Sequence, residues 1–281
     1  MSITQNNQLI GNSSSILHHN PDTAYSHLDT NKKINKVLYA IVMPEESQIL
    51  IEKFKFRKDE EFSNSHGLLL ETFVHKDQLR NLELIIVRPL NDPFNNTPLF
   101  GTEIAFLITY LAAKHYDPDL IVSLGYAGST GVKKDLKLGD IVLSKDCGLY
   151  FRRNMIIEYY KKTSMGLYPV YNCSKTSEAL EFPLTHIGSS NSFVNHDEIA
   201  CSKMIEVVEM ELCSVARAAY YFKIPCVGIK IISDTSKNDE LTDEKERANE
   251  FLKSLEIMRE KILIAFEKFN EFLVEKKLGE L

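Results

Sequence analysis

Between residues 226 and 232 the chain reads Cys-Val-Gly-Ile-Lys-Ile-Ile, an almost unbroken apolar run that follows Pro225 and stops at Ser233-Asp234. A run of this length and β-branched content predicts a strand covered on both faces, as in sheets with helices packed on either side. Just upstream, Leu212, Val215, Ala216, Ala219 and Tyr220 fall at helical spacing, which predicts an amphipathic helix lying on that sheet. The stretch 207–234 therefore commits the chain to an α/β architecture. It also puts three acids, Glu209, Glu211 and Asp234, at the junctions of its elements, where α/β sheets place ligands.

The rest of the chain repeats this alternation. Residues 36–43 (KVLYAIVM) form a first strand that runs into Pro44-Glu45-Glu46, and a helix is expected through Phe54, since Pro and acids suit a first helical turn. Residues 68–74 and 82–88 read as strands and 101–115 as a helix. A short strand, 120–124, opens into the glycine-rich segment 125–131. Further strands are expected at 138–144 and 182–188, the latter leading to Ser-Ser-Asn-Ser-Phe-Val at 189–194. In 241–281 the residues Phe251, Leu255, Met258, Ile262, Phe266, Phe269 and Phe272 recur at spacings of three and four, the stripe of a helix docking on the core. Residues 1–33, rich in Asn, Ser, His and Gln, read as a disordered tail, and 34–281 as one domain. Strands alternating with helices imply a largely parallel or mixed sheet.

Composition narrows the function classes. A net charge of −6 supplies no electrostatic footprint for nucleic acid or an anionic membrane surface. No apolar run reaches the length needed to span a bilayer, and the N-terminal residues lack a basic start followed by an apolar core. The five cysteines (Cys147, Cys173, Cys201, Cys213, Cys226) are odd in number and show no CxxC spacing, which suits free thiols in a reducing compartment. The expectation is a cytoplasmic protein with no metal and no cofactor.

Four predicted strands end in distinctive elements: 36–43 at Glu46, 120–124 at the glycine segment, 205–208 at Glu209-Met210-Glu211, and 226–232 at Ser233-Asp234. If the carboxyl ends share one edge of the sheet, three carboxylates converge there with a backbone-rich loop. Each has a plainer reading. Glu46 and Glu211 suit the first turn of a helix, Asp234 suits an N-cap, and the glycines suit a tight turn. Phe193 and Met210 are apolar residues of a kind that usually fills cores. Neither GxGxxG, GxxxxGK[ST], HExxH nor GxSxG occurs.

These residues also carry a resemblance. VVEMELCSVA, with its V-E-M-E-x-x-x-x-A pattern, and IISD, in this order with VLYAIVMPEE, DPDLIVSLGYAG, LGDIVLS and SSNSF, resemble the nucleoside phosphorylase/nucleosidase superfamily from Lys36 to the last helix. Within it the 5′-methylthioadenosine/S-adenosylhomocysteine nucleosidases are most similar, and FVHKDQLR and KIPCVGIKIISD resemble the plant-type branch. The resemblance implies an α/β three-layer sandwich around a mixed, partly barrel-like sheet, and a homodimer whose neighbour closes part of the pocket. It implies that Asp234 is a general acid protonating N7 of a leaving adenine, and Glu46 the general base activating water. Glu211 would hold the ribose hydroxyls, Met210 would pack on the sugar, Phe193 would stack on the purine beside the Val194 backbone, and Ser233 would orient Asp234. Tyr126, Ala127 and Gly128 would line the site. Such chemistry suits an oxocarbenium-like transition state, which needs an acid at the leaving base and a base behind the sugar. Burial in the crevice would raise the acid's pKa.

Two departures bear on the substrate. Tyr126 stands where the nucleosidases carry a small Ser or Thr, so its ring is expected to narrow the sugar pocket and favour methylthioadenosine over bulkier S-adenosylhomocysteine. Ser190-Asn191 stands in place of a Gly-Asp pair. The superfamily's phosphorylases place arginines after the first strand and before the glycine segment, positions occupied here by Met43-Pro44-Glu45-Glu46 and Ser123-Leu124. A carboxylate there repels phosphate and accepts a proton from water, which favours a hydrolase. The alternatives are a purine nucleoside phosphorylase, another N-ribosyl hydrolase, or a storage-type member with weak catalysis.

Overall fold

A computed structural model of the protein describes residues 24–67, 69–133, 135–149, 166–191, 205–235 and 244–281, without the side chains of 149 and 244–253. Among the described residues nine strands form one sheet in the order β2-β3-β4-β1-β5-β8-β7-β6-β9. They are β1 (Lys36–Ala40), β2 (Arg57–Lys58), β3 (Leu70–Asp77), β4 (Leu82–Pro89), β5 (Leu120–Ser129), β6 (Ile141–Leu149), β7 (Leu184–Ser189), β8 (Val207–Glu209) and β9 (Cys226–Thr235). The last strand returns to pair with β5, so β5, β8, β7, β6 and β9 close into a ring from which β1, β4, β3 and β2 extend as an open sheet. The expected mixed, partly barrel-like sheet is observed.

Six helices accompany it among the described residues: α1 (Pro44–Lys53), α2 (Glu60–Ser65), α3 (Thr102–Tyr116), α4 (Ser174–Leu180), α5 (Leu212–Tyr221) and α6 (Glu244–Leu273), followed by a 3-10 turn at Leu278–Glu280. Alternation along the strands builds a core on each side of the sheet. Val37 and Tyr39 of β1, Val122 and Leu124 of β5, and Ile229 and Ile231 of β9 face α1 and α6. Leu38 and Ala40, Ile121, Cys226 and Ile232 face α3 and α5. The apolar stripe of α6 docks as its spacing predicts. Phe266 is buried against Tyr39, with ring centroids 4.8 Å apart, and against Phe54 at 5.0 Å. The Tyr39 hydroxyl donates to Asn270 Oδ1 at 2.8 Å, so the polar end of the ring is satisfied inside this core.

Two boundaries differ from the sequence expectation. Residues 24–33, expected to belong to the tail, pack on the body: Tyr25 is buried and donates to the Pro169 carbonyl at 3.1 Å, and the Leu278 amide donates to Lys32 O. Polar composition concealed this because the contacts are largely backbone pairings with the C-terminal residues. The segment 125–131 is a strand as far as Ser129 rather than a loop throughout. β5 continues to Ser129 because β9 runs beside it to Thr235, giving the glycine backbone a ladder partner. Four of the five cysteines are described; all are free and buried, and Cys201 lies outside the described residues.

Candidate active site

Strands β1, β5 and β9 are mutually parallel, so their carboxyl ends share one edge. The fourth expected contributor, β8, runs antiparallel to β5 and pairs only with Gly128-Ser129 at its far end. Glu209, Met210 and Glu211 thus reach the region through ring closure rather than through a shared strand direction.

Glu46 sits in the first turn of α1, with Pro44 starting the helix. Its carboxylate is buried and crosses to β5, where it accepts the Tyr126 N–H at 2.7 Å. The topology explains why that amide is available. The Ile121 amide points to the β9 side, so by alternation the Tyr126 amide points to the β1 side. There β1 has already ended opposite Ser123, and β8 does not begin pairing until Gly128. Gly125 completes the fit: a Cβ at this position would lie 2.9 and 3.0 Å from the two Glu46 carboxylate oxygens. Burial pushes the Glu46 carboxyl up to about 8, opposed by the Lys230 charge and the Tyr126 amide.

Asp234 occupies the corresponding place over Gly128, where a Cβ would lie 2.7 Å from its Oδ2. The register jumps from Ala127–Ile232 to Gly128–Asp234, so Ser233 is an extra residue, and such a bulge re-aims the side chain that follows. The Ser233 hydroxyl lies 2.6 Å from Asp234 Oδ1 and 3.1 Å from the Ala127 carbonyl, and its single proton can serve one at a time. Asp234 is exposed, so the burial expected for the acid falls instead on Glu46.

Glu211 stands at the N-terminus of α5 without capping it, and accepts the Gly101 N–H at 3.2 Å. Its carboxyl is held above the ordinary range, first by burial and then by the Glu209 charge, with Lys230 and the Gly101 amide acting the other way. Met210, partly buried, lies between these two acids in the chain. Asn191, one of the two departures, accepts the Thr102 N–H at 2.6 Å and its hydroxyl at 2.8 Å, so it caps α3 and ties 189–191 to Gly101. Phe193 and Val194 lie outside the described residues.

The Tyr126 ring lies on the other face of β5 from Gly125, with its hydroxyl still within reach of the Glu46 charge. Successive residues of β5 alternate, so Gly125 opens toward Glu46 while the Tyr126 ring packs into the core shared by α1 and α6, where its hydroxyl has no hydrogen-bond partner among the described residues. The expectation that this ring narrows the sugar pocket is therefore not supported; what Tyr126 contributes to Glu46 is its amide.

Lys230 was not anticipated. It is 1% exposed in β9, and its ammonium donates to Glu209 Oε2 at 2.8 Å and to Ser123 Oγ at 3.1 Å. A lysine inside an otherwise apolar strand needs a buried counter-charge, and that was the available signal. Among the described residues no group of three or more His, Cys, Asp and Glu could hold a metal. A cavity of about 360 Å³ opens elsewhere, between residues near Tyr25 and the Leu278 turn, and contains none of these side chains.

Comparison with known proteins agrees with this architecture. The sequence model of the Phosphorylase superfamily matches residues 36–269. A 5′-methylthioadenosine nucleosidase of Arabidopsis thaliana is 26% identical over 255 residues, covering 89% of this chain and 91% of that protein. A 5′-methylthioadenosine/S-adenosylhomocysteine nucleosidase of the same plant is 27% identical over 254 residues, covering 89% and 96%. Among solved structures, the apo form of the Arabidopsis 5′-methylthioadenosine nucleosidase superposes with a TM-score of 0.79 at 24% identity, covering 89% of this chain and all of that one. A methylthioadenosine/S-adenosylhomocysteine nucleosidase from Colwellia psychrerythraea in complex with adenine gives 0.67 at 20% identity, covering 87% and 98%.

Proposed function

The chain belongs to the Phosphorylase superfamily, and from that premise we propose that it is an N-ribosyl hydrolase that releases adenine from 5′-methylthioadenosine, with S-adenosylhomocysteine as the other candidate substrate. The relatives that align with nearly their whole length are nucleosidases of these two compounds. The observation that carries the reading is the pairing of carboxylates with glycines along β5. Glu46 lies over Gly125 and Asp234 over Gly128, three residues apart, or about 10 Å of strand at roughly 3.3 Å per residue. The two positions supply one carboxylate for the attacking water and one for the leaving base, the pair of groups that hydrolysis of a glycosidic bond requires.

In this reading Glu46 takes a proton from the attacking water, and its raised pKa makes it a better proton acceptor near neutrality than an ordinary carboxylate. Asp234 gives a proton to N7 of adenine, so the base leaves neutral, with Ser233 fixing the carboxyl rotamer. Glu211 holds the ribose hydroxyls, Met210 packs on the sugar, and Phe193 with the Val194 backbone meets the purine. Ala127 and Gly128 supply backbone along the floor. No cofactor enters the scheme.

The charge distribution favours water over phosphate as nucleophile. Arg88, which reaches Ser47 next to Glu46, is held by Glu71 Oε2 at 2.9 and 3.1 Å, and Lys230 is held by Glu209. Each of these cations is already engaged by a carboxylate, Glu71 being shared between Arg88 and Lys58, so neither presents an unpaired guanidinium or ammonium to an anion. We also read the protein as a homodimer that binds neither nucleic acid nor membrane and works in the cytoplasm. The face formed by α3 and α5 suits a second copy, since Leu107, Tyr220 and Tyr221 are 40–52% exposed there and Phe106 and Tyr110 stack beside them.

Adenine release from 5′-methylthioadenosine, followed with and without inorganic phosphate, tests the function. Equal rates are expected. A strict phosphate requirement, with a ribosyl phosphate as product, would overturn the hydrolase reading in favour of a purine nucleoside phosphorylase.

A further inference from the structure

Glu209 has no part in the chemistry just described, yet it is among the most heavily bonded side chains of the region. It is 7% exposed and receives the Lys230 ammonium at 2.8 Å, the Ser189 hydroxyl, the Glu211 N–H at 3.0 Å, and the Leu212 N–H at 2.9 and 3.1 Å. The same Ser189 hydroxyl oxygen accepts the Cys213 N–H at 2.9 Å. Together they satisfy the orphan amides at the start of α5. The residue at the N-cap position itself, Glu211, makes no capping bond.

This division of labour has a consequence. An acid at a helix start ordinarily spends its carboxylate on its own first turn, where amides and macrodipole favour it. Here Glu209, two residues earlier and at the end of β8, does that work from below. The Glu211 carboxylate is thereby free to turn away from its helix toward Gly101. Lys230 sets its ammonium against Glu209 in the core, and its second bond, to Ser123, ties the pair to the strand that also carries Gly125. Four elements of the ring, β5, β7, β8 and β9, meet in this one carboxylate–ammonium contact.

We propose that Glu209 and Lys230 are a positioning pair that caps α5 in place of Glu211 and so holds the Glu211 carboxylate on the ribose hydroxyls. Glu209 acts through the backbone of Glu211, which it holds by the N–H at 3.0 Å, and Lys230 adds a charge that also bears on the Glu211 carboxyl. This rests on the assignment of Glu211 to the ribose made above.

The test compares kcat/KM for 5′-methylthioadenosine and for its 2′,3′-dideoxy analogue in the unaltered protein, in Glu209→Gln and in Glu211→Gln. The ratio of the two substrates isolates the hydroxyl contact, because a loss of folded enzyme lowers both values alike. Removing a charged hydrogen bond to a substrate hydroxyl typically costs about 10- to 100-fold, so Glu211→Gln is expected to lower the ratio by that amount. Glu209→Gln, which leaves Glu211 present but unsupported, is expected to lower it by about 10-fold or more on the same grounds. If the ratio falls in Glu211→Gln and stays at the parental value in Glu209→Gln, the positioning role is wrong. If it stays parental in Glu211→Gln, the assignment of Glu211 itself is wrong and the proposal goes with it. Should Glu209→Gln fail to fold with Lys230 left uncompensated, the double variant Glu209→Gln/Lys230→Met removes both charges, a change that buried pairs tolerate far better than loss of one partner. It is expected to fold and to show the same lowered ratio; a folded double variant with the parental ratio overturns the proposal.

Discussion

Gly125→Ala is the smallest change that should disable the site, because the cause is one methyl group. The added Cβ would lie 2.9 Å from Glu46 Oε2, 3.0 Å from Oε1 and 3.2 Å from Cδ. An ordinary contact is about 3.5 Å or more, so the carboxylate must retreat by roughly half an ångström. It has little freedom to do so. Glu46 is 5% exposed, and its Oε1 is held by the Tyr126 amide at 2.7 Å, so retreat stretches a buried, charge-assisted hydrogen bond. Overpacking of this kind costs about 1–3 kcal/mol, and loss of a hydrogen bond to a charged group about 1.5–3 kcal/mol. If about 2.7 kcal/mol of this appears in the transition state, kcat falls about 100-fold, which agrees with the usual sensitivity of catalysis to misplacement by about an ångström. The assay is steady-state adenine release from 5′-methylthioadenosine, with a thermal melt to establish that the variant is folded. KM should change little, because in the proposed mechanism Glu46 acts on the attacking water and not on the nucleoside. A folded Gly125→Ala protein with kcat within threefold of the parent would refute the placement of Glu46 as the base held over β5.

Other outcomes follow from the same geometry. Because burial raises the Glu46 carboxyl to about 8 and the base must be ionised to act, kcat/KM should climb about tenfold between pH 7 and pH 9; a flat profile over that range would remove Glu46 from the role. The same shift acts on stability with opposite sign: the protonated carboxyl favours the fold below its ordinary value of 4.5, and this contribution fades as pH rises through about 8, which pH-dependent melting would detect. Asp234→Asn should lower kcat by at least about 100-fold, the usual worth of a positioned acid, with little change in substrate binding measured by calorimetry; near-normal turnover would exclude Asp234 as the acid. Tyr126→Phe deletes a buried hydroxyl that has no hydrogen-bond partner among the described residues, so the melting temperature should hold or rise and the preference between the two thioadenosines should not change. A changed preference would show that the ring reaches the sugar after all.

Several features of the site were legible in the residues because they depend on short-range order. The apolar run 226–232 specifies a buried strand by its own composition, and the stripe through Met258, Ile262 and Phe266 specifies a docked helix by its spacing. Glu46, Glu211 and Asp234 stood out because each follows or interrupts such an element. The fold class and the family resemblance follow from these local patterns, which survive without knowledge of any contact. What the patterns could not show was which way β8 runs, or that β5 changes neighbour halfway along its length. That exchange leaves the Tyr126 amide free for Glu46, and the bulge at Ser233 aims Asp234.

The glycines of 125–128 illustrate the difference. By sequence they signal a turn, since glycine most often serves backbone conformation. In the fold they lie in a strand, and their use is the space they leave for two carboxylates that arrive from residues 79 positions upstream of Gly125 and 106 downstream of Gly128. Lys230 and Glu209 are similar. Either residue alone reads as an error in an apolar segment or a surface acid, and only ring closure brings them to 2.8 Å. The amino-acid sequence determined the elements and the residue types available for chemistry, because propensity and periodicity act over a few residues. The tertiary structure decided which of those side chains meet, because a hydrogen bond or an ion pair depends on distances of a few ångströms between strands far apart in the chain.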